Sequence, residues 1–348
     1  MKDYCLYLPH FSNTYSIDLD KILAAGFGVA ELQSEFFETT RNKAGRVFAD
    51  NTPPASYLER AGVEVWGYVS PFWLESQNQL GSLRDTGRDD DPYWFKRSLT
   101  RLVTEGGWWL RDRGGALTLA MGLRPVADIT VDACRDAIVA ALVEHPCRRL
   151  RFDNSMVHQD AYLKPAPRVS AGELLEAQMD VYRRVRAAGK VVVVNGGWEM
   201  ADPEVTPYAW PLHEVVDGVM IEWPYRFWGW QLTLGALAFI AEAWVGKRVV
   251  LVAPYTTQGY KASKWPSYVE HARALASYAD GLGWWFATGR EDPGQSMTGR
   301  VWRPEEWRET TDDGPPTTVD LAGTVAAHEL RIAALERQLR ALEAQYAD

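Results

Sequence analysis

Eight short apolar segments recur along the chain with helical patterns between them, and this alternation constrains the fold more than any other feature. They cover residues 4–9, 28–33, 63–69, 148–154, 190–197, 218–223, 248–255 and 283–289. Such alternation is typical of βαβ units that build a parallel sheet. Eight units predict an α/β fold, a (β/α)8 TIM barrel whose chemistry takes place at the carboxyl ends of the strands. The alternative is a doubly wound open sheet, although no GxGxxG or Walker motif supports it.

The segments between the strands carry helix signals. Ser170 and Glu173 have the spacing of a capping box before an apolar helical face that ends near Gly189. Thr130 is the expected N-cap of a helix that Pro146 ends. A long insert follows the third strand and extends to about residue 130. Insertions on this side of a barrel usually build the binding cleft, so we expect it to form a cleft wall.

The C-terminal region differs in composition from the rest. Residues 1–308 form the predicted barrel domain, 309–318 a polar linker and 319–348 a helix with apolar residues at alternating spacings of three and four. The predicted seam consists of Leu321, Val325, His328, Ile332, Leu335, Leu339, Leu342 and Tyr346. This pattern predicts a coiled coil that makes a dimer or a trimer. The alternative is an amphipathic helix packed on its own barrel.

Composition and charge limit the class of ligand. The net charge of -9 argues against nucleic-acid binding, and no apolar run is long enough to span a membrane. Three distant cysteines and six histidines without ligand spacing predict neither disulfides nor a metal, and no cofactor is expected. The 16 tryptophans and 15 tyrosines favour a carbohydrate, since aromatic rings offer flat apolar faces with polar edges.

Two acidic residues end predicted strands. Asp153 closes the fourth in "RLRFDNS", and Glu222 closes the sixth in "VMIEWPY". A charged residue at such a place is costly to bury unless it is paired or used. Glycoside cleavage needs two carboxyl groups, one to protonate the leaving oxygen and one to act as nucleophile or base. The alternatives are that Asp153 caps a turn and that Glu222 pairs with Arg226.

Several motifs resemble a known enzyme family. "WWLRDRGGALTLAMGLRPVADITVDACRDAIVAALVEHPCRRLRFDNS", followed by "DGVMIEWPYR", is similar to glycoside hydrolases related to family 114, the endo-α-1,4-polygalactosaminidase group. The motifs cover about residues 105–225. The resemblance implies a TIM barrel with Asp153 as nucleophile and Glu222 as acid/base. It also implies supporting roles for Asn154 and for Arg111 or Asp112.

Further residues at predicted strand ends are candidates for sugar binding. Glu31 is a possible third acid of the pocket, or alternatively half of a salt bridge at the barrel rim. Asn195 has an amide suited to a sugar hydroxyl, and the glycines after it let a ligand approach the backbone. The candidate aromatic platforms for sugar rings are Tyr68, Trp198, Trp223, Tyr225, Tyr255 and Trp285.

Together these features favour a glycoside hydrolase that acts on a cell-surface or cell-wall polysaccharide. The first residues lack the pattern of a secretory signal. With the predicted coiled coil, this suggests a bacteriophage tail protein, made in the cytoplasm and acting at the host surface. The rival hypothesis is a non-catalytic carbohydrate-binding adhesin on the same scaffold, and the two differ in whether Asp153 and Glu222 are needed to release sugar.

Overall fold

The computed structural model describes residues 4–8, 19–24, 26–38, 40, 47, 49–74, 94–153, 163–195, 212–222, 240, 244, 246–252, 279 and 285–288. In chain order its strands are β1 (Tyr4–Leu8), β2 (Val29–Gln33), β3 (Glu64–Val69), β4 (Leu119–Ala120), β5 (Arg124–Pro125), β6 (Arg149–Phe152), β7 (Leu163–Lys164), β8 (Val191–Asn195), β9 (Gly218–Glu222), β10 (Arg248–Val252) and β11 (Trp285–Thr288). The predicted coiled coil, the linker and the end of the barrel domain lie outside these residues.

Eight of these strands form one closed parallel barrel. Their order around it is β1-β11-β10-β9-β8-β6-β3-β2, and the closing contact pairs β1 with β2. Each lies within one of the eight apolar segments found in the sequence. The predicted TIM barrel is therefore confirmed.

The helices are α1 (Leu19–Ala24), α2 (Pro54–Arg60), α3 (Trp94–Gly106), α4 (Asp132–Glu144) and α5 (Ala171–Ala187), with 3-10 turns at Ser34–Phe37 and Ala49–Asn51. The capping box before α5 is confirmed, because Ser170 and Glu173 each accept a hydrogen bond from the other's backbone N–H. Thr130 as the cap of α4 was wrong. The cap residue is Val131, and the Thr130 hydroxyl donates instead to the buried carboxylate of Asp128.

None of the helices in the described ranges is long and apolar enough to cross a bilayer.

Part of the long insert forms a small antiparallel sheet of strand order β5-β4-β7. The sheet is tied to the chain just beyond the carboxyl end of β3. Leu74 N–H donates to Pro125 C=O at 3.0 Å, and Ala127 N–H donates to Phe72 C=O at 3.0 Å. The sheet therefore stands beside the end of the barrel where TIM-barrel chemistry takes place.

The barrel interior has an apolar middle with charged groups on either side. The middle consists of Val29, Trp66, Val193, Met220 and Val250, all at most 4% exposed. At the amino-terminal end, Glu64 lies 3.4 Å from Arg149 and 3.5 Å from Arg248. At the carboxyl end a second charged cluster forms the candidate site. The apolar middle separates the two clusters, so their contributions can be tested independently.

Candidate active site

Asp153 follows directly after β6 and receives donors from three neighbouring strands. Its Oδ1 accepts hydrogen bonds from Arg151 Nη1 and Asn195 Nδ2, both at 3.0 Å, and its Oδ2 accepts one from the Tyr68 hydroxyl. Its backbone N–H donates to Val69 C=O at 2.8 Å, which fixes the residue to the end of β3. The side chain is 16% exposed, so the carboxylate is held by its donors and is not fully buried.

A buried arginine joins Asp153 to a second acid. Arg151 is 1% exposed, and its Nε and Nη2 lie 2.8 and 2.6 Å from Oε1 of Glu31. Its guanidinium also lies over the Tyr68 ring, 4.5 Å from the centroid. Glu31, Arg151 and Asp153 therefore form a chain of charges that alternate in sign across the end of the barrel.

Sequence reasoning missed Arg151, although the strand contains a signal for it. Residues two apart on a strand share a face, so in "RRLRFDN" Arg149, Arg151 and Asp153 line the same side. Buried arginine is rare unless it is paired. An arginine inside a strand and two residues before an acid therefore indicates an ion pair at that face.

Tyr68 is a neutral hydrogen-bond donor in this cluster. Burial, and next the negative charge of Asp153, raise the pKa of Tyr68 well above its usual value, and the opposing effect of Arg151 is smaller. The phenol therefore keeps its proton over the range in which most enzymes work. It orients the Asp153 carboxylate without adding a charge.

Glu222 is the last residue of β9, and β8 separates β9 from β6. Phe152 of β6 pairs with Val194 of β8, so Asp153 lies opposite Asn195 in the hydrogen-bonding direction. Asn195 in turn pairs with Met220 of β9. In a TIM barrel of shear 8, residues at one height shift by about one position per strand. The residue of β9 level with Asp153 thus lies two positions beyond Met220, which is Glu222.

The contact between Glu31 and Arg151 supports this reading of the register. In the hydrogen-bonding direction, Glu31 of β2 pairs with Trp66 of β3, which lies opposite Arg149 of β6. Arg149 comes two residues before Arg151. The side chains of Glu31 and Arg151 are in contact, which agrees with a shift of two residues over two strands. With neighbouring strands about 4.8 Å apart, the backbones of Asp153 and Glu222 are separated by about 10 Å.

Three residues predicted to bind or support the substrate make contacts within the protein. The Glu31 carboxylate is buried against Arg151, which favours a supporting role over a direct contact with sugar. Arg111 Nη1 donates to Gly115 C=O at 2.7 Å, and Asp112 accepts from Ala116 N–H at 2.7 Å. The "WLRDRGG" motif is therefore explained as a hairpin turn, and a sugar contact of Arg111 stays a prediction.

Of the other residues predicted to bind sugar, the structure describes three. Asn195 and Tyr68 are brought together at Asp153. Trp285 begins β11, where its backbone pairs with Val250, and its role as a sugar platform stays a prediction. The remaining candidates, Asn154, Trp198, Trp223, Tyr225 and Tyr255, lie outside the described residues.

Neither a metal centre nor a reactive thiol is found in the described part of the chain. Within it, no group of three or more His, Cys, Asp or Glu side chains is arranged to hold a metal ion. Cys134 and Cys147 are buried, and burial raises the pKa of their thiols to about 12 and about 11.

Comparison with known proteins identifies similar folds and no family. No family model matches this chain, and no curated protein matches it. Among solved structures, α-L-fucosidase isoenzyme 2 from Paenibacillus thiaminolyticus is similar with a TM-score of 0.52 at 12% identity, over 88% of this chain and 48% of the fucosidase. Aspergillus fumigatus Ega3 in complex with galactosamine has a TM-score of 0.46 at 10% identity, over 84% and 92%.

A third similar structure is the GH36 α-galactosidase AgaB from Geobacillus stearothermophilus, with a TM-score of 0.49 at 12% identity, over 88% of this chain and 41% of that enzyme. This chain thus spans less than half the length of the fucosidase and of the galactosidase. At such low identity the similarity establishes the fold alone, which is the TIM-barrel fold found in glycoside hydrolases.

Proposed function

We propose that this protein is a glycoside hydrolase that uses Asp153 and Glu222 as its pair of carboxyl groups. The observation that carries the proposal is the environment of Asp153. Three donors hold its carboxylate at the carboxyl end of a TIM barrel, the end at which such barrels do chemistry. The register of β6, β8 and β9 supports Glu222 as the second acid, because its backbone would lie level with Asp153 with one strand between them.

The two acids have different roles in this mechanism. Asp153 attacks the anomeric carbon while the bond from that carbon to the leaving oxygen breaks. The bonding electron pair passes to the leaving oxygen, which takes the proton of Glu222. Water then releases the sugar from Asp153 and returns a proton to Glu222. In a variant of the scheme Asp153 acts as base for water, and the separation of the carboxyl groups decides between them, about 5 Å for attack and about 6.5–9.5 Å for a base.

The surroundings of Asp153 suit the role of nucleophile. Donors from Arg151, Tyr68 and Asn195 stabilise the ionised carboxylate. They also fix its orientation, which matters because attack requires reacting atoms about 3–3.5 Å apart and aligned. Glu222 ends β9 with one strand between it and β6, and we take it as the acid that protonates the leaving oxygen.

The finer parts of the proposal rest on the sequence. The aromatic residues predicted at strand ends suit a sugar polymer, and we take the substrate to be a cell-surface or cell-wall polysaccharide. The seam of residues 319–348 suits a dimer or trimer, such as an assembly at a phage tail. Light scattering of the full chain and of a chain without 319–348 tests the assembly. If particles of the full chain and of the shortened chain contain the same number of chains, residues 319–348 do not mediate the assembly.

A direct test uses the purified chain with a panel of bacterial cell-wall and capsular polysaccharides. Release of reducing ends by the wild-type protein, and its loss in Asp153→Asn with polysaccharide binding retained, is the expected result. Binding without release by the wild-type protein would instead favour the non-catalytic carbohydrate-binding alternative. Equal release by the wild-type protein and Asp153→Asn would remove Asp153 from the mechanism.

A further inference from the structure

We propose that Arg151 is a positioning residue, which holds Asp153 ionised and correctly oriented and is itself anchored by Glu31. The inference deepens the proposed hydrolase function and rests on it for its catalytic consequence. Its physical part, the hold of Arg151 on Asp153, can be measured without any turnover. The two can therefore fail separately.

The geometry fixes the guanidinium of Arg151 on several sides. Two of its nitrogens bind Oε1 of Glu31, and a third donates to Oδ1 of Asp153. The Tyr68 ring covers one face of the guanidinium plane. With 1% of the residue exposed, water hardly competes for these contacts. The direction from which Nη1 reaches Asp153 is thus set by Glu31 and Tyr68.

The charges around Asp153 make this cation necessary. Glu31 on β2 and Glu222 on β9 are acidic, while Tyr68 and Asn195 contribute neutral donors. Among the described residues, Arg151 forms an ion pair with Asp153, and the charge of Arg124 on β5 acts at Tyr68. Carboxyl groups that share a site raise one another's affinity for protons, whereas a cation within hydrogen-bond distance lowers it. Removing Arg151 would therefore raise the affinity of Asp153 for protons, and protonation would prevent its attack on a sugar.

Glu31 explains why arginine suits this position better than lysine. A guanidinium can bind two acids at once through different nitrogens and can stack on an aromatic ring, whereas an ammonium is a point charge on a flexible stem. Arg151→Lys keeps the charge and loses the fixed direction. We therefore expect it to leave Asp153 ionised while lowering kcat more than it raises KM.

The test is an NMR titration of Asp153 in the full chain labelled with 13C at the aspartate carboxyl carbon. The Asp153 signal is assigned by its absence in Asp153→Asn. In Arg151→Gln we expect the titration midpoint of Asp153 to rise by about one pH unit or more, a tenfold gain in proton affinity. The matched control is Arg149→Gln, on the same strand face two residues earlier and paired with Glu64 at 3.4 Å. It should leave the midpoint unchanged.

A buried Glu31 without its partner can prevent folding of Arg151→Gln. The double variant Glu31→Gln/Arg151→Gln removes both charges of the pair, and the same upward shift is expected there. Its control is Glu64→Gln/Arg149→Gln. A midpoint in either Arg151 variant equal to that of the wild-type protein would overturn the inference. If the shift appears but the wild-type protein cleaves no polysaccharide, the hold on Asp153 stands and only the hydrolase function fails.

Discussion

Arg151, near the end of β6, donates from Nη1 to Oδ1 of Asp153, which directly follows that strand, at 3.0 Å. Their separation by two positions puts both side chains on the inner face of the barrel. The acid that ends the strand thus receives its counter-ion from its own strand, while the anchor of that counter-ion comes from Glu31, 120 residues away in the chain.

Glu31→Gln should destabilise the protein far more than Glu64→Gln. Glu31 is buried, and its loss leaves a buried guanidinium short of one counter-charge, which costs on the order of 3 kcal/mol. The carboxylate of Glu64 is 31% exposed and pairs at 3.4 and 3.5 Å, so its loss should cost about 1 kcal/mol or less. Urea unfolding measures both values. Equal losses of unfolding free energy in the two variants would contradict a buried ion pair between Glu31 and Arg151.

Tyr68 should stay protonated above pH 10. In the unfolded chain this phenol ionises near pH 10, whereas the folded state retains the proton because burial and Asp153 raise the pKa of Tyr68. The folded state then binds more protons than the unfolded state, so stability falls as pH rises above 10. Absorbance titration of the wild-type protein minus Tyr68→Phe isolates this group. A phenolate signal for Tyr68 at or below pH 10 would contradict the prediction.

His145 should make the protein sensitive to acid. It packs edge-on against the rings of Phe37 and Phe95, and burial, followed by the charge of Lys190, lowers the pKa of His145 to about 3. Between pH 6.5 and 3 the unfolded state binds the extra proton. The free energy of unfolding therefore decreases as the pH is lowered, by up to about 1.4 kcal/mol per pH unit. Urea unfolding at pH 7 and pH 4.5 measures the loss. A loss just as large in His145→Phe would show that another group is responsible.

Gly218→Ala should destabilise the barrel, whereas Gly172→Ala should not. A Cβ at Gly218 would lie 2.4 Å from the backbone oxygen of Arg248, and backbone in a closed sheet cannot move aside cheaply. Overpacking of this kind costs about 1–3 kcal/mol. At Gly172, in the first turn of α5, the nearest atom would be 3.9 Å away. Thermal unfolding compares the two, and an unchanged melting temperature for Gly218→Ala would contradict the close approach.

The barrel was predictable from the sequence because its strands are buried on both faces. Such strands appear as continuous apolar runs, and "VVVVN" ending at Asn195 illustrates the pattern. The cap of α4 was not predictable in the same way. The hydroxyl of Thr130 donates to Asp128 and does not cap the helix, and Asp128 is available there because the tertiary fold buries it beside Thr130.

The sequence predicted the acidic residues of the site, but it did not predict which side chains form ion pairs with them. Asp153 and Asn195 end successive barrel strands, so their meeting follows from the topology. The pairing of Glu31 with Arg151 depends on the slip of residues around the barrel, which an apolar pattern does not encode. For the same reason the sequence left open whether Glu31 is a third acid of the pocket or half of a salt bridge, and the structure shows it buried and paired with Arg151.

The most direct test of the central claim is the rate of reducing-end release by Asp153→Asn and by Glu222→Gln, on a polysaccharide that the wild-type protein cleaves. Each variant should be slower by on the order of 10² to 10⁴, because each removes one of the two groups that make and break bonds. Glu64→Gln, at the opposite end of the barrel, should keep most of the activity. Rates for Asp153→Asn or Glu222→Gln equal to that of Glu64→Gln would contradict the two-carboxylate account.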